Sequence, residues 1–518
     1  MTQFTEQPRQ FPEGYDTVHA QRQFVDAIYA RTVFDHLRWM RPHEVSNIVK
    51  NVLHKRGEKL ALRINDGPIP TQLGDWTLLG IGDRTDGHIH EALVYGDIHQ
   101  GAVEGSEPVP IYICQSNHFG ETYYERENDQ SKKRLHQAMD RMRAAGRGVV
   151  IYLHQEGKGK GIAGELERLN RKYSWENGVI VERDAQELTP EYEDDRHFDP
   201  EVVAHMLQEM NIDLQNIVYV DGSLGISDVY PGSGQDDETS RRFDPQVLDA
   251  AVQSFDYAWF EPFHAQDLIK SALQGQGHQL VQELGRAPLP TEYGDWTVIA
   301  MGDKTDGSVH HVLAYGDVQR SIRNGENILV RLHSACHTSE TYHAVNCECR
   351  EELQQTMQMI QQEGAGVIVY LQQEGRGNGV VGKLDQLKGM FGWNTNGQIE
   401  QKRDPDTGER VNTVQAYIEA GYVSERRDFT AAGQILQHLG LTSVRLVSNN
   451  PRKMQGVEAA GISVEPVSIL IQPPNEIVAS DLMHKAIGDG HRIPPEYWQV
   501  VTTEPVEEAF EGEAHDVQ

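Results

Sequence analysis

A mixed α/β protein (α+β in its strand arrangement), built from two homologous domains in tandem, is the fold this sequence predicts. Three observations carry that prediction. A long segment recurs: TQLGDWTLLGIGDRTDGHIHEALVYGDIHQG from Thr71 returns as TEYGDWTVIAMGDKTDGSVHHVLAYGDVQRS from Thr291, an offset of 291 − 71 = 220 positions. RGVVIYLHQEGKGKG and AGVIVYLQQEGRGNG follow at slightly smaller offsets, so a whole unit has been duplicated. Alternating and β-branched runs interleave with helix-period runs in both copies, the order expected of a mixed α/β fold. Finally, 518 residues with 38% hydrophobic content are enough for two or three ordinary cores.

In chain order, residues 1–40 read as an added helical arm. The first copy spans 41–262 and opens on the helix-like VSNIVKNVLHKRGEKL, whose counterpart lies around Asp267 to Leu280. Strand-like runs follow at Trp76 to Ile81 and, in the second copy (263–495), at Thr297 to Met301. GVIVYL (Gly366 to Leu371) and VRLVS (Val444 to Ser448) are almost wholly apolar, as strands buried on both faces are. Both end in loops rich in Gly, Asn or charge, where α/β proteins commonly bind ligands. Residues 496–518 read as an acidic disordered tail.

Lys plus Arg total 47 against 78 Asp plus Glu, a net charge of −31, which repels a polyanion and argues against a nucleic-acid partner. The bland meaning of so much acid is solubility. An anionic ligand then requires a locally basic pocket. No apolar stretch is long enough for a membrane span and the N-terminus has no signal-like segment, so a cytoplasmic protein is expected. Three of the four cysteines, Cys336, Cys347 and Cys349, cluster in HSACHTSETYHAVNCEC, which fits a reduced compartment and a metal site better than disulfides.

Three thiolates suit zinc, and a three-ligand set leaves a fourth position for water. On spacing alone, a catalytic zinc stands level with a structural zinc completed by His333, His337 or His343, or with buried thiols holding no metal. QQEGRGNG (Gln372 to Gly379) follows a buried strand, and its Arg376 offers a fork that matches phosphate; by itself such a turn is more often a surface loop. ERRDF (Glu425 to Phe429) sets a carboxylate two residues from Arg427, in isolation usually a solvated pair. SNNPRK (Ser448 to Lys453) suits an anion or simply a helix start.

Taken together and in order, these motifs resemble the GTP cyclohydrolase II family, which opens the imidazole ring of GTP. The resemblance runs from about Ile328 to His491: RLHSAC with its cysteine spacing, QEGRG, NTV near Thr413, ERRDF, SNNPRK and the closing HKAIGDGH. It implies that Cys336, Cys347 and Cys349 hold zinc, whose water attacks the purine C8, with release of formate and diphosphate. It assigns nucleotide contacts to Arg331, Leu332, His333, Ser334, Ala335, Glu352, Glu374, Gly375, Arg376, Thr413, Ser448 and Lys453, with Mg2+ on the phosphates. Arg427 falls on the family's proposed nucleophile toward the α-phosphorus and Glu425 on the acid beside it. Guanidinium stays protonated at every relevant pH, so a phosphate clamp suits Arg427 better.

The sequence departs from the family pattern at Glu425 for Asp, Ala335 for Glu, Glu352 for Gln and Leu387 for Tyr. It also carries roughly seventeen extra residues between Lys383 and Thr413, expected as a lid or specificity loop. These changes sit on the substrate side, so a ring-opening hydrolase of another nucleotide, such as a uracil nucleotide in pyrimidine breakdown, stands beside GTP. A non-catalytic nucleotide-binding or regulatory protein is the alternative of another class. In register, Asn117, Asn128 and Gln130 replace the cysteines in the first copy, and amides are poor zinc ligands. Cys114 aligns with His333, and Asp221 stands where the second copy has its SNNPRK motif. Asp194 with Arg196 and Gln155 to Lys158 keep remnants of a site, read as inherited scaffold or a residual effector site. The family forms homodimers, so the two copies are expected to pack as an intrachain pseudodimer, with further homo-oligomers open.

Overall fold

The computed structural model describes residues 42–98, 107–116, 118–125, 130–155, 161–183, 199–221, 223–224, 270–271, 273–275, 277–488 and 490–492. The expected N-terminal arm and acidic tail lie outside them. The first half contributes β1 (Ala61–Thr71), β2 (Gly74–Asp83), β3 (Ile89–Tyr95), β4 (Val109–Gln115), β5 (Gly148–Leu153), β6 (Tyr173–Glu176), β7 (Val179–Glu182) and β8 (Ile217–Tyr219). The second contributes β9 (Val281–Thr291), β10 (Gly294–Asp303), β11 (Val309–Tyr315), β12 (Leu329–Ser334), β13 (Gly366–Leu371), β14 (Phe391–Trp393), β15 (Ile399–Gln401), β16 (Ser443–Val447) and β17 (Ser463–Val467).

The strand order is β1-β2-β3-β5-β4-β8 in one sheet and β17-β16-β12-β13-β11-β10-β9 in the other. The order is the same in both halves, with β17 added in the second. In each, an antiparallel meander passes into parallel strands at the centre: β11 and β13 run antiparallel, whereas β12 pairs parallel with both β13 and β16. The wholly apolar GVIVYL is β13, every residue of it buried. Val367, Val369 and Leu371 enter one core and Ile368 and Tyr370 another, so both faces are covered and an unbroken apolar run is required. Helix Cys349–Glu363 connects β12 to β13 and buries Leu353, Thr356, Met357 and Ile360, a single stripe at helical spacing. It stops at Gly364, whose φ of 85° supplies the left-handed cap.

Each half has a core of its own, but two further cores are shared. Phe119, Tyr123, Ile162, Leu166, Leu169 and Tyr173 of the first half pack with Leu289, Trp296, Val298 and Tyr370 of the second. Reciprocally, Leu384, Leu387, Met390 and Phe391 of the second half pack with Ile69, Trp76 and Leu78 of the first. Leu384, Leu387 and Met390 recur every three positions, which directs helix Gly379–Met390 onto β1. At the contact a side chain on Gly67 would come within 2.8 Å of the Leu384 carbonyl oxygen, so close packing requires glycine there.

The polar contacts obey the same internal two-fold relation. Thr71 bridges Ala344 and Thr291 bridges Glu125. The Ile399 N–H donates to Asp75 at 2.7 Å, and the Ile180 N–H to Asp295 at 2.8 Å. The extra residues after Lys383 are therefore not a lid: they complete a helix and form the β14–β15 hairpin, seated on the first half. The first half has its own version, β6–β7. Leu387 is fully buried in a shared core.

Candidate functional site

β12 delivers the RLHSAC segment with period-two alternation. Val330 and Leu332 enter the core of the second half, whereas Arg331 and His333 face the other side. The chain then leaves the strand at Ala335, whose N–H donates to the Leu371 carbonyl at 2.8 Å. Cys336 precedes the short helix His337–Glu340, and Cys347 and Cys349 return at the start of helix Cys349–Glu363. Cys336 Sγ and Cys347 Sγ are 3.6 Å apart, and all three sulfurs lie within 4.8 Å of one another. Tetrahedral Zn–S bonds of about 2.3 Å place sulfurs about 3.8 Å apart, so the trio fits zinc in spacing and donor chemistry. Hydrogen bonds from Cys336 and Cys349 hold the Cys347 thiol well below the ordinary thiol range, with the Lys383 ammonium adding to the effect.

Basic side chains line the same cleft as the thiols. Lys453 is 6% exposed and donates to the Leu332 carbonyl at 2.6 Å. Burial pushes its pKa well down, and the Arg331 and Arg427 charges push it further. It sits in helix Pro451–Ala459, which SNNPRK starts in the usual way: Asn450 caps the Arg452 N–H and Pro451 occupies the first turn. Arg331 pairs with Glu352 and also reaches the Val447 carbonyl at 3.3 Å. Burial works against ionisation of Glu352, but Arg331, Lys453 and Lys485 outweigh it and bring its pKa to about 2.

The QEGRG turn and ERRDF are built as one unit. Arg376 itself adopts a left-handed φ of 56°, and the Arg426 N–H donates to its carbonyl at 3.0 Å. A side chain on Gly377, at φ 82°, would stand 2.9 Å from the Arg426 and Arg427 backbone. The glycine thus permits two loops to touch. Glu374 is held in the turn by the Gly375 and His337 N–H groups at 2.8 and 2.7 Å. Glu425, 5% exposed, accepts from the Arg427 N–H at 3.0 Å and from its Nε at 2.8 Å, with Nη2 completing a fork. Burial opposes the charge, but Arg427 prevails and lowers the Glu425 pKa to about 2. A carboxylate that acidic is a weak proton acceptor near neutrality.

The linkage has a fixed sign. Because the folded pKa lies below the ordinary 4.5, this pair stabilises the fold above that pH and its contribution is lost as pH falls toward about 2. Glu425→Gln is therefore expected to lower stability at pH 7 and to flatten its decline through that window, as read from denaturant midpoints at a series of pH values. An unchanged decline would show that the pair contributes nothing.

One cleft gathers these groups. It is lined by Cys336, Cys347 and Cys349 together with Arg331, Ser334, Ala335, Glu352, Glu374, Gly375, Arg376, Thr413, Arg427, Ser448 and Lys453. Leu332 and His333 do not line it: Leu332 is core, and His333 is 2.8 Å from Glu340 and stacked on Tyr370. Glu425 stands behind Arg427. The sequence did not single out Glu348, Lys383, Tyr417, Asp481, Lys485 and His491, which also line the cleft. HKAIGDGH pointed toward Lys485 and His491; Lys485 pairs with Glu348 at 2.7 Å and Asp481 at 2.9 Å. Lys383 had no local signal.

A family model described as GTP cyclohydrolase II matches the chain twice, at residues 63–217 and 282–468. The chain belongs to the GTP cyclohydrolase II family. Among its relatives, the riboflavin biosynthesis protein RibBA of Parabacteroides distasonis is 35% identical over 235 residues, 45% of this chain and 51% of the relative. RibBA of Phocaeicola vulgatus is 38% identical over 208 residues, 40% and 46% of the two chains. The riboflavin biosynthesis protein VVA0006 of Vibrio vulnificus is 34% identical over 198 residues, 38% and 48%. The chain thus spans about half the length of the curated relatives it matches.

As a GTP cyclohydrolase II family member the chain carries two copies of the fold with unequal sites. Strand register equates Ile111, opposite Val149, with Val330, opposite Val367. Cys114 accordingly stands at the place of His333, Tyr112 at that of Arg331, and Gln130 begins the helix that Cys349 begins in the other copy. Burial raises the Cys114 thiol pKa, and the residue stands in the strand at the place of His333, not at that of any of the three clustered cysteines. Asp221 pairs on the surface with Arg141 at 2.9 Å. Asn117, Asn128, residues 156–158, Asp194 and Arg196 lie outside the described residues.

Proposed function

We propose that the second copy, 263–495, is a zinc-dependent cyclohydrolase that opens the imidazole ring of GTP and releases formate and diphosphate. The observation that carries this reading is the meeting, in one cleft, of three zinc-type thiols with the basic side chains Arg331, Arg376, Arg427 and Lys453. A triphosphate needs such a basic wall on a chain of net charge −31. Zinc, when bound by Cys336, Cys347 and Cys349, supplies an activated water for hydrolysis. The residues supply the rest. Arg427, oriented by Glu425, and Lys453 bind phosphate, while Glu374 keeps the QEGRG turn shaped for backbone approach to the nucleotide. Glu352, Glu425 and Asp481 each already face a cation, so magnesium would ride on the phosphates, as it does where few protein carboxylates are offered. The riboflavin biosynthesis label of the RibBA relatives favours the flavin pathway, and the copy 41–262 is read as a scaffold without catalytic zinc.

A second reading, ring opening of another nucleotide, is favoured by Ala335 and Glu352 on the cleft wall, where the first removes a polar group and the second adds a carboxylate beside Arg331. Zinc-loaded protein with magnesium, offered GTP and uracil, cytosine and adenine nucleotides, separates the two. Formate with a diaminopyrimidine from GTP is the expected result. Inertness toward GTP with turnover of another nucleotide would transfer the assignment to the second reading, and inertness toward all would leave a nucleotide-binding role.

A further inference from the structure

Glu91, His154 and His337 form a second set of ligand-type side chains that the proposed reaction leaves unused. Glu91 lies on β3 and His154 just beyond β5, at strands that pair with Glu91 opposite Tyr152. His337 comes from the other half and is the residue after Cys336. Glu91 Oε2 is 2.7 Å from His337 Nδ1 and 3.4 Å from His154 Nε2, and the three ligand atoms all lie within 4.8 Å of one another. Glu91 is 2% exposed and His337 7%. We propose that these three residues hold a second zinc-class divalent metal ion, one that bridges the two halves of the chain.

Four features support a cation there. Tetrahedral zinc with N and O ligands at about 2.0–2.1 Å sets ligand atoms about 3.3 Å apart; the 3.4 Å contact already matches, and the 2.7 Å contact opens with a small side-chain rotation. The carboxylate and both histidine backbones are anchored: the Tyr342 hydroxyl donates to Glu91 Oε2 at 2.7 Å, and the backbone N–H groups of His154 and His337 donate to His90 Nδ1 at 3.2 Å and to Glu374 at 2.7 Å. The surroundings are acidic: Glu374 accepts the His337 backbone N–H, and Glu121 accepts from the hydroxyl of Tyr152, whose ring lies 4.7 Å from that of His337. The set is not inherited from the duplicated scaffold either: the equivalents of Glu91 and His154 are His311 and Gln372, and His311 meets Tyr123 at 2.8 Å instead. By contrast, Asp83, Asp86 and His90 recur as Asp303, Asp306 and His310, with the same aspartate-to-threonine turn in both halves, and belong to the scaffold.

Such an ion would fasten β3 and β5 of the copy without the cysteine trio to the segment that carries Cys336. That copy would thereby position a zinc ligand of its neighbour.

The full chain, stripped with chelator and reloaded with Zn2+ alone, is counted for metal by mass spectrometry, and with Co2+ by absorption. About two equivalents are expected in the wild type and about one each in C347S, E91Q and H154N. Cobalt in C347S should show ligand-field bands without thiolate charge transfer, and E91Q should keep the thiolate band. One equivalent that is lost in C347S but kept in E91Q and H154N overturns the proposal. One equivalent that survives C347S and disappears in E91Q supports it while refuting the cysteine site, so the two assignments fail separately. If E91Q loses both ions through misfolding, C347S decides: cobalt bound without thiolate bands supports the interface site, and no cobalt bound overturns it.

Discussion

Cys347→Ser is expected to abolish zinc retention and ring opening together, with turnover falling on the order of 10³-fold or more. A serine hydroxyl stays protonated where the Cys347 thiol is already held well below its ordinary range, and a neutral oxygen is a poor substitute for a thiolate on zinc. Removal of one of three protein ligands also removes the geometry that leaves a single position for water. Formate release and metal content, measured on the same preparation, check the result. Changing Asn128 or Gln130, the in-register positions of the other copy, should alter neither quantity at the cysteine site. Zinc kept while activity is lost would assign the thiols a redox or structural role instead.

The second large effect concerns the halves themselves. The fragment Phe263–Gln518 is expected not to persist as a folded, active monomer. Separation strips the first half from Leu384, Leu387, Met390 and Phe391, all fully or almost fully buried, and exposes the face of Trp296 and Leu289 as well. At about 1.5–3 kcal/mol for each large apolar side chain, four alone approach the 5–15 kcal/mol that typically holds a domain folded. Light scattering and thermal melts should find aggregation or self-pairing of the fragment, and co-expression of residues 1–262 should restore a soluble, active complex. A fragment that is folded, monomeric and fully active would falsify the pseudodimer reading.

What the sequence determined by itself is local and chemical. The 220-residue repeat gave the tandem fold, period-two and β-branched runs located β2, β10, β13 and β16 to within a few residues, and the cysteine spacing marked a zinc-type trio that the folded chain gathers within 4.8 Å. Each of these is carried by residues near one another along the chain, where propensity and spacing act directly. Tertiary structure alone decided the partners. The residues after Lys383 look like a free loop in sequence, yet they form a hairpin because Asp75, 324 positions away, receives the Ile399 N–H. Lys383 joins the thiols, Leu387 leaves the cleft for a shared core, and Glu91 meets His337 across 246 positions. Such contacts depend on how two whole units dock, and docking is set by the summed shape and burial of many side chains rather than by any local pattern.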